Sequence, residues 1–257
     1  MNHAQYPSSM DYVTVVNPAG TSPIVLVCEH ASRFIPGVYN DLGLTGDALH
    51  SHAAWDPGAL AVAQYMSERL NAPLVASNVS RLVYDCNRPL AATDAIPDQS
   101  ETITVPGNKG LTVAQRQDRA TTFYEPFRKQ LAKVIGAKAQ PVIVTIHSFT
   151  PVYHGKRRQV EIGVLHDRDT RLADAMLQVA GQHMDALVLR NAPYGPDDGV
   201  THTLKEHALP AGHLNVMLEI RNDLIQDTKT QSDMAEQIAN WVSAALVQCQ
   251  SGAVQEC

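Results

Sequence analysis

Residues 141–151, PVIVTIHSFTP, set the tightest limit on what this chain can fold into. Five successive β-branched residues, Val142 to Ile146, favour a strand over a helix. A strand that is apolar on both of its sides needs cover on both faces. Similar runs recur at 23–30 (PIVLVCEH), 158–167 (RQVEIGVLHD) and 213–223 (HLNVMLEIRND), with ALVLRN as a further strand. APLVASNV and RLVYDC read as one long strand or two short ones. Helix-period segments alternate with these runs, at 57–71, 113–136, 170–184 and 230–250, with a short helix expected over 47–55. Pro57 suits a first helical turn with Asp56 as its N-cap, and Pro126 predicts a kink or a break. Residues 91–112 and the stretch APYGPDDGVTHT read as loops, the first of them extended over the surface. The pattern predicts one α/β domain over 1–257, a mixed and mostly parallel sheet with helices on both faces.

Composition narrows the function classes. A net charge of −6 argues against nonspecific nucleic-acid binding, which needs a basic footprint. No stretch approaches the roughly 20 apolar residues of a membrane span. The opening MNHAQYPSSMDYV lacks a basic segment followed by an apolar one, so a cytoplasmic protein is expected. Cys28, Cys86, Cys249 and Cys257 form no CxxC pair and are expected as free thiols.

In sheets of this kind, ligands bind at the carboxyl ends of strands. There the chain places Glu29 and His30, Asn87 and Arg88, His147 and Ser148, and His166 and Asp167. His30 and His147 with one carboxylate would make a zinc site, unless each is only a hydrogen-bonding strand end. Glu29 and Asp56 are the candidate carboxylates; Asp56 could instead be a plain helix cap, and His52, if its segment is helical, a ligand or an outer partner of the site. Glu219 stands inside an apolar strand, as a general base or as the buried partner of Arg221. Arg88 with Asn87 reads either as a carboxylate clamp or as a salt bridge to a nearby acid.

The motifs VCEHAS…IP, WDPGA, SRLVYDCNRPL, HSFTPV, GVLHDRD, NAPYG and LEIRNDL, in this order, resemble the N-formylglutamate amidohydrolase family over about 23–225. The resemblance implies a zinc-carboxypeptidase-like (phosphorylase/hydrolase-like) α/β fold and one catalytic Zn2+ or another divalent ion. It implies hydrolysis of a small N-acyl amino acid, with N-formyl-L-glutamate the leading candidate, as in histidine breakdown. By the same resemblance Glu219 is the catalytic glutamate, His147 the last zinc histidine, and Asn87 and Arg88 the carboxylate holders. Where zinc carboxypeptidases carry His-x-x-Glu, this chain has His30-Ala31-Ser32-Arg33. Asp56 is then the preferred third ligand and Glu29 the second choice. Arg81 is the candidate cation for the oxyanion. Tyr194 and Ser148 are candidate substrate contacts, and Arg158, Arg157 or Arg33 would meet a second carboxylate. Asp85 is expected to orient Arg88 or Arg81, and Cys86 to fill space. A peptidase releasing a C-terminal residue, or a carboxylate-binding protein without metal, are the alternatives.

Overall fold

The structure, a computed structural model, describes residues 12–253. Cys257 and most of the amino-terminal stretch read above lie outside the described residues. The strands are β1 (Val13–Val16), β2 (Ile24–Cys28), β3 (Leu74–Ser77), β4 (Val142–Phe149), β5 (Ile162–Leu165), β6 (Val188–Arg190) and β7 (Asn215–Arg221). They form one seven-stranded sheet in the order β1-β3-β2-β4-β7-β5-β6. The pairs β3–β2, β2–β4, β4–β7 and β5–β6 are parallel, whereas β1–β3 and β7–β5 are antiparallel. The helices are α1 (Ala59–Leu70), α2 (Val113–Arg119), α3 (Glu125–Gly136), α4 (Arg171–His183), α5 (His202–His207) and α6 (Thr228–Ala253). Among the described residues, no helix is long and apolar enough to cross a membrane.

Period-two alternation sends each central strand's side chains into two cores. Leu26, Val144 and Leu218 pack with Val62 of α1, Met176 of α4 and Trp241 of α6 on one face. Val27, Ile143 and Met217 pack with Phe127 and Leu131 of α3 and Leu204 of α5 on the other. Trp241 is fully buried, and its Nε1 donates to Met176 O at 2.7 Å, which ties α6 to α4. Thr145, His147 and Glu219 share the parity of Ile143 and Met217, so they extend from the second face.

Several local expectations change. Residues 81–86 are not a strand, although Leu82, Val83 and Tyr84 are buried. The chain turns twice, with Val83 N donating to Ser80 O and Arg88 N to Asp85 O. Side chains take over the carbonyls that a ladder would have used: Asn108 donates to Leu82 O at 2.8 Å and Arg119 to Val83 O at 3.2 Å. The segment 47–55 forms only a short 3-10 turn, Gly46–His50. The loop 91–112 carries a small hairpin, Gln99–Ser100 with Ile103–Thr104, and buries Ala95, Ile96 and Val105. The break expected at Pro126 is a π turn, Ala120–Tyr124, that joins α2 to α3. Helix α1 starts two residues late, after Gly58 with φ 83°, where a Cβ would stand 2.6 Å from Ile225 O. Strand β1 and helix α5 were not anticipated.

The reversal of β5 matters most for the site. Met217 faces Leu165 and Ile220 faces Ile162, so β5 ends on the edge opposite to β2, β4 and β7. The chain after β6 must therefore fold back to reach the other edge. It does so across Gly163, where a Cβ would lie 2.0 Å from Ala192 O. Gly163→Ala is expected to force the 192–194 segment off the sheet and to cost about 1–3 kcal/mol. Denaturant unfolding of the variant against the parent measures this.

Candidate active site

Strands β2, β4 and β7 run parallel and end together, with Glu219 in register with His147. Strand β2 stops at Cys28, and the next residues bring in Glu29 and His30. Asp56 arrives from the turn before α1, pinned by its own N–H to His30 O at 3.0 Å. Its side chain is not a helix cap. Asp56 Oδ2 lies 3.3 Å from His30 Nδ1 and 3.0 Å from His147 Nδ1, and accepts from Ser148 N at 3.3 Å. Asp56 Oδ1 accepts from Arg81 Nη1 at 3.3 Å. The two Nδ1 atoms stand 3.2 Å apart. One ligand atom from each of His30, Asp56 and His147 fits within 4.8 Å of the others, a set able to hold a metal ion.

The outer side of each imidazole meets a carboxylate. His30 Nε2 donates to Asp85 Oδ1 at 2.7 Å. Asp85 also accepts from Arg81 Nη2 at 3.0 Å and from Asn87 N at 2.9 Å. It therefore orients His30 and Arg81, and does not reach Arg88. Glu29 Oε2 lies 3.1 Å from His147 Nε2, out of alignment for a hydrogen bond. Glu29 thus stands behind a histidine and away from the Nδ1 cluster. Adjacent strand residues point to opposite faces, which favours Asp56 over Glu29 as the partner of His30, and the turn after Cys28 decides where Glu29 goes.

Electrostatics follow from this packing. Burial alone would lower the His147 pKa, but Glu29 and Asp56 hold it well above the ordinary value. His30 is lowered by burial and by Arg81, yet Asp85 and Asp56 carry it above its usual value. Burial would raise Asp56, but His30, His147 and Arg81 keep it well below the carboxylate range. Glu219 is pushed up to about 7, chiefly by burial, with Asp56 adding to the rise and His147 and Arg81 opposing it.

These groups surround a cavity of about 260 Å³. His30, Asp56, Arg81, Asn87, Arg88, His147, Ser148, Tyr194 and Glu219 all line it. Arg158 stands outside its walls. Its guanidinium carbon lies 5.4, 4.5 and 4.8 Å from the ring centres of Phe149, Tyr153 and Tyr194, which do line the cavity. Arg88 spends Nε on Asp94 at 2.7 Å and Nη1 on Asn87 O and Gly199 O, leaving Nη2 without a hydrogen-bond partner among the described residues. The Asn87 amide is committed to Val200 O and to Thr203 N, so it fixes that wall. Ser148 donates its hydroxyl to Pro57 O at 2.8 Å, which makes it a support for the Asp56 turn.

Other candidates fall away. Arg221 bonds Asp223, Glu161 and the carbonyls of 158–160, so it does not neutralise Glu219. His166 and Asp167 sit at the far end of the reversed β5, with His166 Nε2 accepting from Arg190 at 3.0 Å. His52 pairs with Glu101 at 3.0 Å and leaves the metal-competent set alone. Arg33 and Arg157 are exposed and line no part of the cavity. Cys28, Cys86 and Cys249 are free thiols, and Cys86 is buried.

With this geometry in place, comparison with known proteins is decisive at one level. Residues 22–226 match the sequence profile of the N-formylglutamate amidohydrolases. The chain belongs to that family. A gene product of Agrobacterium tumefaciens with a crystal structure is 52% identical, with a TM-score of 0.91, over 93% of this chain and 96% of that one. The N-formylglutamate amidohydrolase of Ralstonia eutropha is 20% identical, with a TM-score of 0.66, over 90% of this chain and 98% of that one. At that identity the second likeness shows the fold. No curated protein matches the chain. The resemblance read from the motifs therefore holds, and the amidohydrolase class with it.

The position of Glu219 has a consequence for stability. A carboxyl whose folded pKa is raised favours the fold at low pH and loses that contribution as pH rises through the folded value. With Glu219 at about 7, ionising it in metal-free protein costs up to about 3 kcal/mol. Glu219→Gln cannot ionise. In the presence of chelator it is expected to be the more stable protein at about pH 9, with the gap closing toward about pH 4. Urea unfolding at the two pH values checks the sign.

Proposed function

We propose that the chain is a zinc-dependent hydrolase of small N-acyl amino acids, with N-formyl-L-glutamate as the leading substrate. One observation carries the reading: two imidazoles, with Nε2 hydrogen-bonded to Asp85 in His30 and beside the charge of Glu29 in His147, turn Nδ1 toward the same Asp56 oxygen. A carboxylate behind a histidine draws the ring proton outward and leaves the inner nitrogen's lone pair free for a ligand. Three inward lone pairs repel one another unless protons or a cation lie between them. Two histidines and a carboxylate are a donor set suited to catalytic zinc. When bound, zinc would polarise the amide carbonyl and make water a competent nucleophile near neutral pH.

The chain's own groups supply the rest. Glu219 takes the proton of the attacking water and then hands it to the departing amine nitrogen. The C–O bond forms first, giving a tetrahedral adduct, and the C–N bond breaks as the nitrogen is protonated, giving formate and the free amino acid. Burial raises the pKa of Glu219, which favours the return of the proton. A dication in the Asp56 cluster would draw Glu219 toward its ionised form. Arg81, already held by Asp56 and Asp85, offsets charge growing on the carbonyl oxygen. Arg88 Nη2 holds the α-carboxylate, against a wall fixed by Asn87. Arg158, among its aromatic neighbours with Tyr194, is the cation for a side-chain carboxylate. The cytoplasm and a histidine-degrading route are the setting this reading implies.

Formate release from N-formyl-L-glutamate and other N-formyl amino acids, with and without chelator, tests the reading. Activity is expected to vanish on chelation and return with zinc; activity indifferent to chelation would sink the metal role. Glu219→Gln should lose roughly 10²- to 10⁴-fold in kcat while keeping its zinc. Asp85→Asn should weaken zinc binding about 10- to 100-fold, measured by chelator competition. Arg88→Ala is expected to raise KM with a much smaller effect on kcat, since it binds a group remote from the reacting bond.

A further inference from the structure

One side chain that none of the chemistry above uses links three segments at the rim of the cavity. Glu101 sits at the tip of the hairpin Gln99–Ser100 with Ile103–Thr104, in a left-handed conformation at φ 51°. Its Oε2 lies 3.0 Å from His52 Nε2, and its Oε1 accepts from His154 N at 2.8 Å. His154 is at the tip of a second hairpin, Val152–Tyr153 with Lys156–Arg157, and is also left-handed at φ 46°. One carboxylate therefore joins two hairpin tips and the turn before Asp56.

All three joined segments contribute to the cavity wall, through His52, Ser100 and Tyr153. Depth separates this rim from the floor. The His52 side chain is 31% exposed and that of Glu101 15%, against 1–3% for His30, Asp56 and His147. Each hairpin has only two residues per strand, too few to hold a position by itself. Each also has anchors at its base, such as Val105 N to Asp98 O and Arg158 N to Pro151 O, but the shared carboxylate is what links the two tips to each other and to His52. The tie reaches further inward, because the ring of Tyr153 packs edge-on against His154 and lies 4.5 Å from the Arg158 guanidinium. The cavity volume, about 260 Å³, is below the roughly 300–1,000 Å³ of pockets for drug-sized ligands.

We propose that Glu101 is a specificity-determining residue: it pins the cavity mouth shut against long substrates and confines hydrolysis to a short acyl group on a single amino acid. The proposal rests on the amide hydrolysis proposed above. It assigns no chemical step to Glu101, so its loss should leave turnover of the shortest substrate nearly intact.

The test compares kcat/KM for N-formyl-L-glutamate, N-hexanoyl-L-glutamate and N-formyl-L-glutamylglycine in the parent, Glu101→Ala and Glu101→Gln. In Glu101→Ala, the parent's preference for N-formyl-L-glutamate over at least one longer compound should fall by about tenfold or more. Its kcat for N-formyl-L-glutamate should stay within about threefold of the parent's. Hydrogen exchange at 99–104 and 152–157 should quicken in the same variant. Glu101→Gln keeps the size and one acceptor oxygen, and should fall between the two; it also serves as the reporter if the alanine variant does not fold. Unchanged preferences in a folded variant would overturn the proposal. If the parent hydrolyses none of the compounds, the activity reading fails by itself. Calorimetric binding of the same compounds then makes the comparison, and equal discrimination in parent and variant would still refute the role of Glu101.

Discussion

The Asp56 carboxylate is the constraint around which the rest of the site is arranged. It is buried, and a buried charge is costly unless it is paired and hydrogen-bonded. Both oxygens meet that condition, through two imidazoles, a backbone N–H from β4 and the guanidinium of Arg81. These partners come from the ends of β2 and β4 and from the turns after β3. The carboxylate can be accommodated only when those pieces of chain are brought together. The late start of α1 follows from the same demand, because Asp56 points inward and leaves the helix to begin after Gly58.

The interior of the site is rich in negative charge. Asp56, Asp85, Glu29 and Glu219 surround two histidines and one arginine, and burial removes the water that would otherwise screen them. The histidine protons and Arg81 balance most of that charge, and Glu219 answers by holding its own proton to an unusually high pH. A site balanced in this way exchanges protons for a cation, so proposed metal binding and proton release are two sides of one equilibrium.

Much of this was legible in the sequence, for a definite reason. His30, His147 and Glu219 could be found because β2, β4 and β7 are parallel and fully buried, so a polar residue at their ends or on one parity stands out. The same rule misled at His166, since nothing in GVLHD reveals that β5 runs backward. The run Leu82–Tyr84 looked like a strand because its side chains are buried, but Asn108 and Arg119, distant in sequence, satisfy its carbonyls. Asp56 was ambiguous because a helix cap and an inward carboxylate share the signature Asp-Pro-Gly. Arg221 remained a rival partner for Glu219 until Glu161 and Asp223 were seen to hold it. In each of these cases at least one deciding contact came from residues far along the chain.

The crossing of Ala192 over Gly163 bears on how such a protein could be altered. There a backbone carbonyl occupies the space a side chain would take, so the path from β6 to Tyr194 runs as a taut strap against the sheet. Extra residues placed within the strap would lift Tyr194 from the cavity, whereas the exposed turn at Asp197–Gly199 lies beyond the crossing. A designer seeking new substrate preference would leave the strap alone and graft new loops at the turn beyond it.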